Sequence, residues 1–314
     1  MQPFLYLAPL HGVTNRLFRR IYFRHFPGFD AAIAPFILAT RSAGSQASHF
    51  KDLAPREEPG PRLVPQLLGN EASAFVATAA VLADLGYDEV DWNLGCPFPV
   101  VANKRRGSGL LPFPELVASF LDEACARSRL PVSVKLRLGR RDPGEILELM
   151  PILNAHPLAR VILHPRLGVQ MYRGEVDLEG FARAAGLCAH ELVYNGDIRD
   201  EAGFARLRAT FPGIREWMLG RGAIADPFLP ARLKGSDPGT RRTEALLAFH
   251  DELYAGYRGI LHGPAHVLDK MKEVWGYLGA SFPNSGHLLG RISQARTIEA
   301  YERAVRRLFS APRG

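Results

Sequence analysis

The chain has 314 residues, of which 47% are hydrophobic and 23% are charged, and its formal net charge is +7. This composition excludes a disordered chain and allows either one large α/β barrel or two ordinary domains. No apolar run approaches the roughly 18 residues needed to span a bilayer, and the basic balance suits a polyanionic partner without requiring one.

Eight strand-like runs alternate with segments of helical periodicity up to residue 222: FLYLAPL, FDAAIAPF, RLVPQLLG, DEVDWNLG, PVSVKLRLG, ARVILHP, ELVYNGD and REWMLGRG. No basic segment precedes the first run, so we expect a first strand there and no export signal. The alternation predicts an α/β fold, a (β/α)8 or TIM barrel over residues 1–232. A doubly wound open sheet is the alternative.

Residues 231–239, ARLKGSDPG, are rich in glycine, proline and charge and predict a linker. Beyond them the segments 243–257, 265–278 and 292–309 have the apolar spacing of amphipathic helices. Residues 240–314 contain eleven Lys and Arg against seven Asp and Glu, so this part carries more than half of the excess charge. We predict a small C-terminal helical domain that caps the barrel, binds RNA, or does both.

Three cysteines form no CxxC pair, which predicts a reduced cytoplasmic protein without a zinc site. Cys125 and Cys188 are interpreted as packing residues. Cys96 differs because it follows a predicted strand and lies between Gly95 and Pro97. A nucleophilic thiol would need a histidine partner, whereas a proton donor must stay protonated, and spacing alone does not choose between these roles.

Functional groups of a parallel barrel gather at the carboxyl ends of its strands. Candidates follow seven of the eight predicted strands: Pro9, Leu10 and His11; Gln66; Asn93 and Cys96; Lys135; His164 and Arg166; Asn195, Gly196 and Asp197; Gly220 and Arg221. So many polar groups at one end predict a ligand cavity.

Lys135 and Arg137 share one face of their strand because side chains alternate. A lysine inside a barrel needs an anionic partner, either a protein carboxylate or an electron-rich cofactor ring. The segment Gly220-Arg221-Gly222 suits a phosphate group, or equally a plain turn with a surface arginine.

Eight motifs, in this order, resemble those of the tRNA-dihydrouridine synthases: APLHGVTNRLFR, VPQLLG, NLGCP, VVANKRRGSGLL, VSVKLRLG, HPRLGVQMYRG, YNGDI and MLGRGAIADPFL. The resemblance covers the whole barrel, and the helical tail agrees in placement. It implies an FMN-containing barrel that uses NADPH to reduce the C5=C6 bond of a uridine in tRNA. A monomer without metal, acting away from membranes, would suit such an enzyme.

The resemblance also implies roles for individual residues. The flavin would be lined by Pro9, Leu10, His11, Gln66, Lys135 and His164, and its phosphate end would be held by Asn195, Gly196, Asp197, Gly220 and Arg221. The flipped uracil would meet Asn93, Arg166 and Tyr172. Cys96 would be the general acid that protonates C5 after hydride reaches C6.

The basic triplet Lys104, Arg105 and Arg106 would meet RNA phosphates at the mouth of the cavity. We expect these side chains to point outward, because a cation against Cys96 would lower its pKa and weaken it as an acid.

Two other functions are compatible with the chain. A flavin barrel acting on a small pyrimidine, similar to dihydroorotate dehydrogenase, would share the acid cysteine, but it would not need the basic loop and tail. A non-catalytic RNA-binding barrel without flavin would have no reason to keep Gln66, Lys135, Asn195 and Arg221.

Overall fold

The computed structural model describes residues 2–42, 47–53, 60–236, 239 and 241–311. Over these residues the strands are β1 (Phe4–Leu7), β2 (Ala31–Ile33), β3 (Ile37–Leu38), β4 (Arg62–Val64), β5 (Gln66–Leu68), β6 (Val90–Leu94), β7 (Val132–Gly139), β8 (Leu158–Leu167), β9 (Leu192–Tyr194) and β10 (Glu216–Leu219). The helices are α1 (Arg16–His25), α2 (Ala72–Asp84), α3 (Pro99–Ala102), α4 (Pro114–Arg127), α5 (Glu145–Asn154), α6 (Leu178–Leu187), α7 (Glu201–Thr210), α8 (Arg221–Ala225), α9 (Leu229–Leu233), α10 (Arg242–Ile260), α11 (Pro264–Leu278), α12 (Gly286–Gln294) and α13 (Ile298–Ser310).

All strand pairs are parallel, in the order β3-β5-β6-β7-β8-β9-β10-β1-β2-β4. The terminal strands of this order are β3 and β4. Since β3 directly follows β2 in the chain and β4 directly precedes β5, the two ends of the sheet adjoin and the barrel closes. The third predicted run is two strands rather than one, since Pro65 has no N–H to give to the ladder. The predicted TIM barrel is thus confirmed, with β3 as a short strand that the sequence did not predict.

Two apolar clusters lie on the two faces of the barrel wall. Trp92 stacks on Phe120 of α4 with ring centroids 3.7 Å apart, so this face of β6 points at the helices. By alternation Asp91 and Asn93 point into the barrel. Much of the interior is apolar, with Tyr6, Ala8, Ala31, Ile33, Val64, Ile162, Val193 and Met218. Strands β5, β6 and β7 contribute the buried polar residues Gln66, Asp91, Asn93 and Ser133.

An ionic cluster lies at the amino ends of the strands. Glu89 is 2% exposed and accepts from Arg160 at 2.9 Å and from Arg62 at 3.0 Å. Arg160 also pairs with Glu216 at 2.9 Å. These pairs compensate the buried charges at the amino ends of the strands.

The C-terminal region is helical, as predicted, but its last segment is two helices. The predicted helix over 292–309 is interrupted between α12 and α13, where Thr297 caps α13 by accepting from the N–H of Ala300 at 3.2 Å. A threonine whose side chain caps a new helix N-terminus ends the continuous pattern.

The helical region packs on the barrel beside the end of β1. Asn15 donates to the hydroxyl of Tyr257 at 3.0 Å, and Lys270 donates to the carbonyl of Gly12 at 2.6 Å. The predicted linker begins inside α9, and its residues 237 and 238, like residue 240 at the predicted domain start, lie outside the described residues. In the part of the chain that is described, no helix is long and apolar enough to cross a bilayer.

Candidate active site

A cavity opens at the carboxyl ends of the strands. The predicted residues that line it are Pro9, Leu10, His11, Gln66, Asn93, Cys96, Lys135, His164, Tyr172, Asn195, Gly196, Asp197, Gly220 and Arg221. Residues far apart in sequence thus meet in one place, because each lies on a strand of the same parallel barrel or in a segment that follows one.

Other predicted residues lie outside the lining. Arg166 is 1% exposed and directs its guanidinium at Asp197 rather than at the cavity. Lys104 and Arg105 are exposed, while Arg106 is half-buried and donates to Asn70 at 3.2 Å. The substrate roles of these four residues stay predictions.

Several lining residues were absent from the predicted set, notably Phe36, Phe98, Arg137, Arg199 and Met218. Phe36 follows β2, so the strand-end rule applied to the second run would have found it. Arg137 was placed on the correct face of its strand but given no role. For Phe98 the position just after Cys96 was the available signal.

The Cys96 loop is held through its backbone. Asn93 Oδ1 accepts from the N–H groups of Gly95 at 3.1 Å and Cys96 at 2.8 Å. The carbonyl of Cys96 accepts from both the N–H of Ser108 at 3.0 Å and its hydroxyl at 3.1 Å. The sulfur therefore takes no part in fixing the loop at these points.

The thiol of Cys96 lies at the cavity wall with 7% of the residue exposed. Burial raises its pKa, and this effect outweighs the opposing backbone hydrogen bond at Phe98 and the charges of Arg137 and Lys135. The thiol is consequently protonated at neutral pH, which suits a proton donor and not a thiolate nucleophile.

Arg137 ties two strand-end loops together. Its Nε donates to the carbonyl of Gly95 at 3.0 Å and its Nη1 to the carbonyl of Leu167 at 2.8 Å. Burial lowers its pKa to about 10 against an opposing charge interaction with Tyr172, so it remains charged at neutral pH. This side chain fixes the Cys96 loop relative to β8.

Lys135 points into the cavity beside a buried polar row. Asp91 accepts from Gln66 at 2.7 Å and from Ser133 at 3.0 Å, and all three are fully buried. Burial raises the pKa of Asp91 and lowers that of Lys135. Among the described residues the Lys135 ammonium has no hydrogen-bond partner, and an anionic or electron-rich ligand would supply one.

His164 is held in one tautomer. Its Nδ1 faces the carbonyl of Asn195, which can only accept, so Nδ1 carries the hydrogen. Burial, together with the charges of Arg137 and Lys135, holds its pKa well below the usual range. The ring is therefore neutral, with Nε2 an acceptor.

Asp197 gathers three arginines at one side of the cavity. It accepts from Arg166 at 2.5 Å, Arg221 at 2.8 Å and Arg199 at 3.2 Å. Although burial opposes ionisation, the hydrogen bond and charge of Arg166 lower the pKa of this carboxyl, assisted by Arg199 and Arg221. The cluster presents a net positive rim.

Aromatic rings form the mouth of the cavity. Tyr172 is 42% exposed, and the guanidiniums of Arg137 and Arg221 lie 5.4 and 5.2 Å from its ring centroid. His11 stacks on Phe36 with centroids 5.5 Å apart. A planar ligand entering the barrel would pass between these rings.

Comparison with solved structures identifies the fold. Morphinone reductase aligns with a TM-score of 0.52 at 13% identity, over 77% of this chain and 88% of that protein. At this identity the likeness shows the barrel fold and no more.

Comparison of sequences is more specific. The dihydrouridine synthase family model matches residues 6–255. The tRNA-dihydrouridine(16) synthase of Cupriavidus necator is 27% identical, with 98% of each chain covered. That of Pseudomonas putida is 29% identical, with 89% of each covered. The family resemblance inferred from the motifs is confirmed, and the chain belongs to the dihydrouridine synthase family of enzymes.

Proposed function

We propose that this protein reduces the C5=C6 bond of a uridine in tRNA, using FMN and NADPH. The observation that carries the proposal is a buried cysteine, Cys96, at the wall of a barrel-end cavity, together with Lys135, whose ammonium has no hydrogen-bond partner among the described residues. The full-length similarity to proteins named as tRNA-dihydrouridine synthases supports RNA as the substrate.

The donor set of the cavity fits a flavin mononucleotide. Lys135 and Gln66 would donate to the electron-rich edge of the ring, and Nε2 of the neutral His164 would accept from a hydroxyl of the ribityl chain. Pro9, Leu10 and His11 would border the ring. Arg221 and Arg199 at the positive rim would balance the phosphate charge.

The phosphate end would also use Asn195, Gly196, Asp197 and Gly220. Because the Asp197 carboxylate is ionised and would repel a phosphate, its contribution would be to hold Arg221 and Arg199 in place. The bound flavin, once reduced by NADPH, would supply hydride to C6 of the uracil.

The chain's own residues would complete the reaction. Cys96 would donate its proton to C5 as negative charge develops on the ring. Asn93 has one amide hydrogen left after its bond to Gln66, and it lines the cavity where it can meet a base edge. Tyr172 would stack on the everted base, while Arg166 would act by holding Asp197.

The RNA surface would extend from the cavity to the helical region. Lys104 and Arg105 are exposed on the loop that follows Cys96. A cleft between α12 and α13 is lined by Arg291, Arg296, Arg303 and Arg307. In this proposal residues 1–232 carry the flavin chemistry and, through the loop with Lys104 and Arg105, part of the RNA surface, while residues 240–314 bind RNA.

Replacing Lys104, Arg105 and Arg106 together by alanine should weaken tRNA binding and leave flavin content unchanged. A plot of the logarithm of the association constant against the logarithm of the salt concentration has a negative slope. This slope should become shallower by about 0.7, the value for single strands, for each phosphate group that the variant no longer neutralises. Fluorescence anisotropy with labelled tRNA over a salt series measures both effects, and loss of flavin would contradict this division of roles.

A matched control removes the same charge elsewhere. Arg183, Arg206 and Arg208 are exposed on α6 and α7. Their triple alanine variant should bind tRNA with nearly the wild-type salt slope. An equal loss of affinity in both variants would mean that net charge, and not the loop, attracts the RNA.

The direct test uses purified protein, NADPH and unmodified tRNA. We expect flavin absorbance in the protein and dihydrouridine in the product, and since several relatives are named as position-16 enzymes, we expect it at position 16. A colourless protein that binds tRNA would favour the binding barrel. A yellow protein that reduces only free pyrimidines would favour the dihydroorotate dehydrogenase-like function.

A further inference from the structure

A chain of side-chain amides leads from the Cys96 loop into the barrel. At the loop, two backbone N–H groups, of Gly95 and Cys96, point at the side chain of Asn93. Backbone N–H groups can only donate, so the oxygen of this amide must face the loop. Its nitrogen must then face the interior.

The orientation of the Asn93 amide also fixes the orientation of the Gln66 amide. Asn93 Nδ2 donates to Gln66 Oε1 at 2.7 Å, so Gln66 Nε2 faces the opposite way. There it donates to Asp91 Oδ2 at 2.7 Å, and the other oxygen of Asp91 accepts from Ser133 at 3.0 Å. The residue at position 91 must therefore present a hydrogen-bond acceptor to Gln66 Nε2 if every amide in this series is to be paired.

The strands hold these residues in register. Gln66 pairs with Asp91 across β5 and β6, and Asp91 pairs with Ser133 across β6 and β7. Gln66, Asp91 and Ser133 are 0% exposed and Asn93 is 7% exposed. Turning one amide around would leave a buried donor facing another donor, which costs the free energy of a broken buried hydrogen bond.

We propose that Asp91 is a positioning residue for Cys96: through Gln66 and Asn93, its acceptor oxygen fixes the amide orientation that holds the Gly95 and Cys96 N–H groups. The role rests on the proposed function, because the group being positioned is the proton donor of that reaction. Asp91 itself lies one layer below the cavity and is absent from its lining.

The test compares Asp91→Leu with Asp91→Asn. Both remove the charge and keep the branched arrangement of side-chain heavy atoms, but only asparagine can present an oxygen to Gln66 and a nitrogen to the hydroxyl of Ser133. In a Cys125→Ser/Cys188→Ser background, we measure alkylation of Cys96 by iodoacetamide in the flavin-bound protein. The leucine variant should react about five to ten times faster, the factor for losing about one net hydrogen bond, while the asparagine variant stays within about twofold of the parent.

Equal rates in the parent and the leucine variant would overturn the assignment, as would equal acceleration in both variants, since charge rather than hydrogen-bond direction would then hold the loop. If Asp91→Leu does not fold, Gln66→Leu and Asn93→Ala decide. Both must accelerate alkylation; acceleration by Asn93→Ala alone would mean that the series ends at Asn93. Alkylation needs no tRNA, so this outcome is independent of whether the protein reduces uridine.

Discussion

A Cys96→Ala protein is expected to keep its flavin and to accept hydride from NADPH, but to reduce uridine about 10²- to 10⁴-fold more slowly, the range of general acid catalysis. The loop should survive the change because its anchors are backbone groups: the N–H of Cys96 on Asn93 and its carbonyl on Ser108. Stopped-flow absorbance separates the two steps, with flavin bleaching by NADPH followed by reoxidation on addition of tRNA.

Two matched variants define this result. Cys125→Ala removes a half-buried thiol from α4 and should leave both steps unchanged. Cys96→Ser replaces the thiol by a hydroxyl, a group of similar size that is a much weaker acid. It should slow the second step as alanine does and leave the first step unchanged. Wild-type reoxidation in Cys96→Ala would remove the acid role, and loss of flavin would show that the sulfur supports the cofactor site.

Much of the architecture was predictable because barrel strands leave a strong sequence pattern. Each of the eight predicted runs contains a strand, and the polar residues after them meet at one end of the barrel. The division at Pro65 was not predicted, although proline gives a signal for it by having no N–H to donate to a ladder. The break before Thr297 was not predicted, because the apolar helical spacing continues on both sides of it.

The sequence did not predict which hydrogen-bond partner each polar side chain takes. Alternation placed Arg137 and Lys135 on the same face, yet Arg137 directs its donors to the carbonyls of Gly95 and Leu167 while Lys135 lines the cavity. The pairing of Arg166 with Asp197 likewise depends on how the end of β8 meets the loop after β9, across 31 residues of sequence. A one-dimensional pattern gives the side of a strand, but not the partner.

The second large effect concerns Gly107, which packs directly against Cys96. Gly107 has a φ of +54°, and a Cβ added there would lie 2.7 Å from the carbonyl oxygen of Cys96 and 2.9 Å from its Cβ. Gly107→Ala should therefore push Cys96 from its place. Because a misplacement near 1 Å can cost about 100-fold in rate, we expect a loss of about that size in reoxidation by tRNA.

Gly107→Ala combines two effects, the strain of a positive φ and the steric clash of the new Cβ with Cys96. A control substitution at Gly86 separates them. It has a φ of +86° but nothing within 4 Å of an added Cβ, so Gly86→Ala carries the strain alone, roughly 1 kcal/mol of stability. Urea unfolding should detect that cost, whereas both steps of the reaction should stay at wild-type rates. In Gly107→Ala only the tRNA step should slow, because the residues that would hold the flavin lie outside the segment between β6 and α4 that contains Gly107. Equal slowing of the NADPH step would mean that Gly107 supports the whole barrel end and that the position of the thiol is not what the glycine protects.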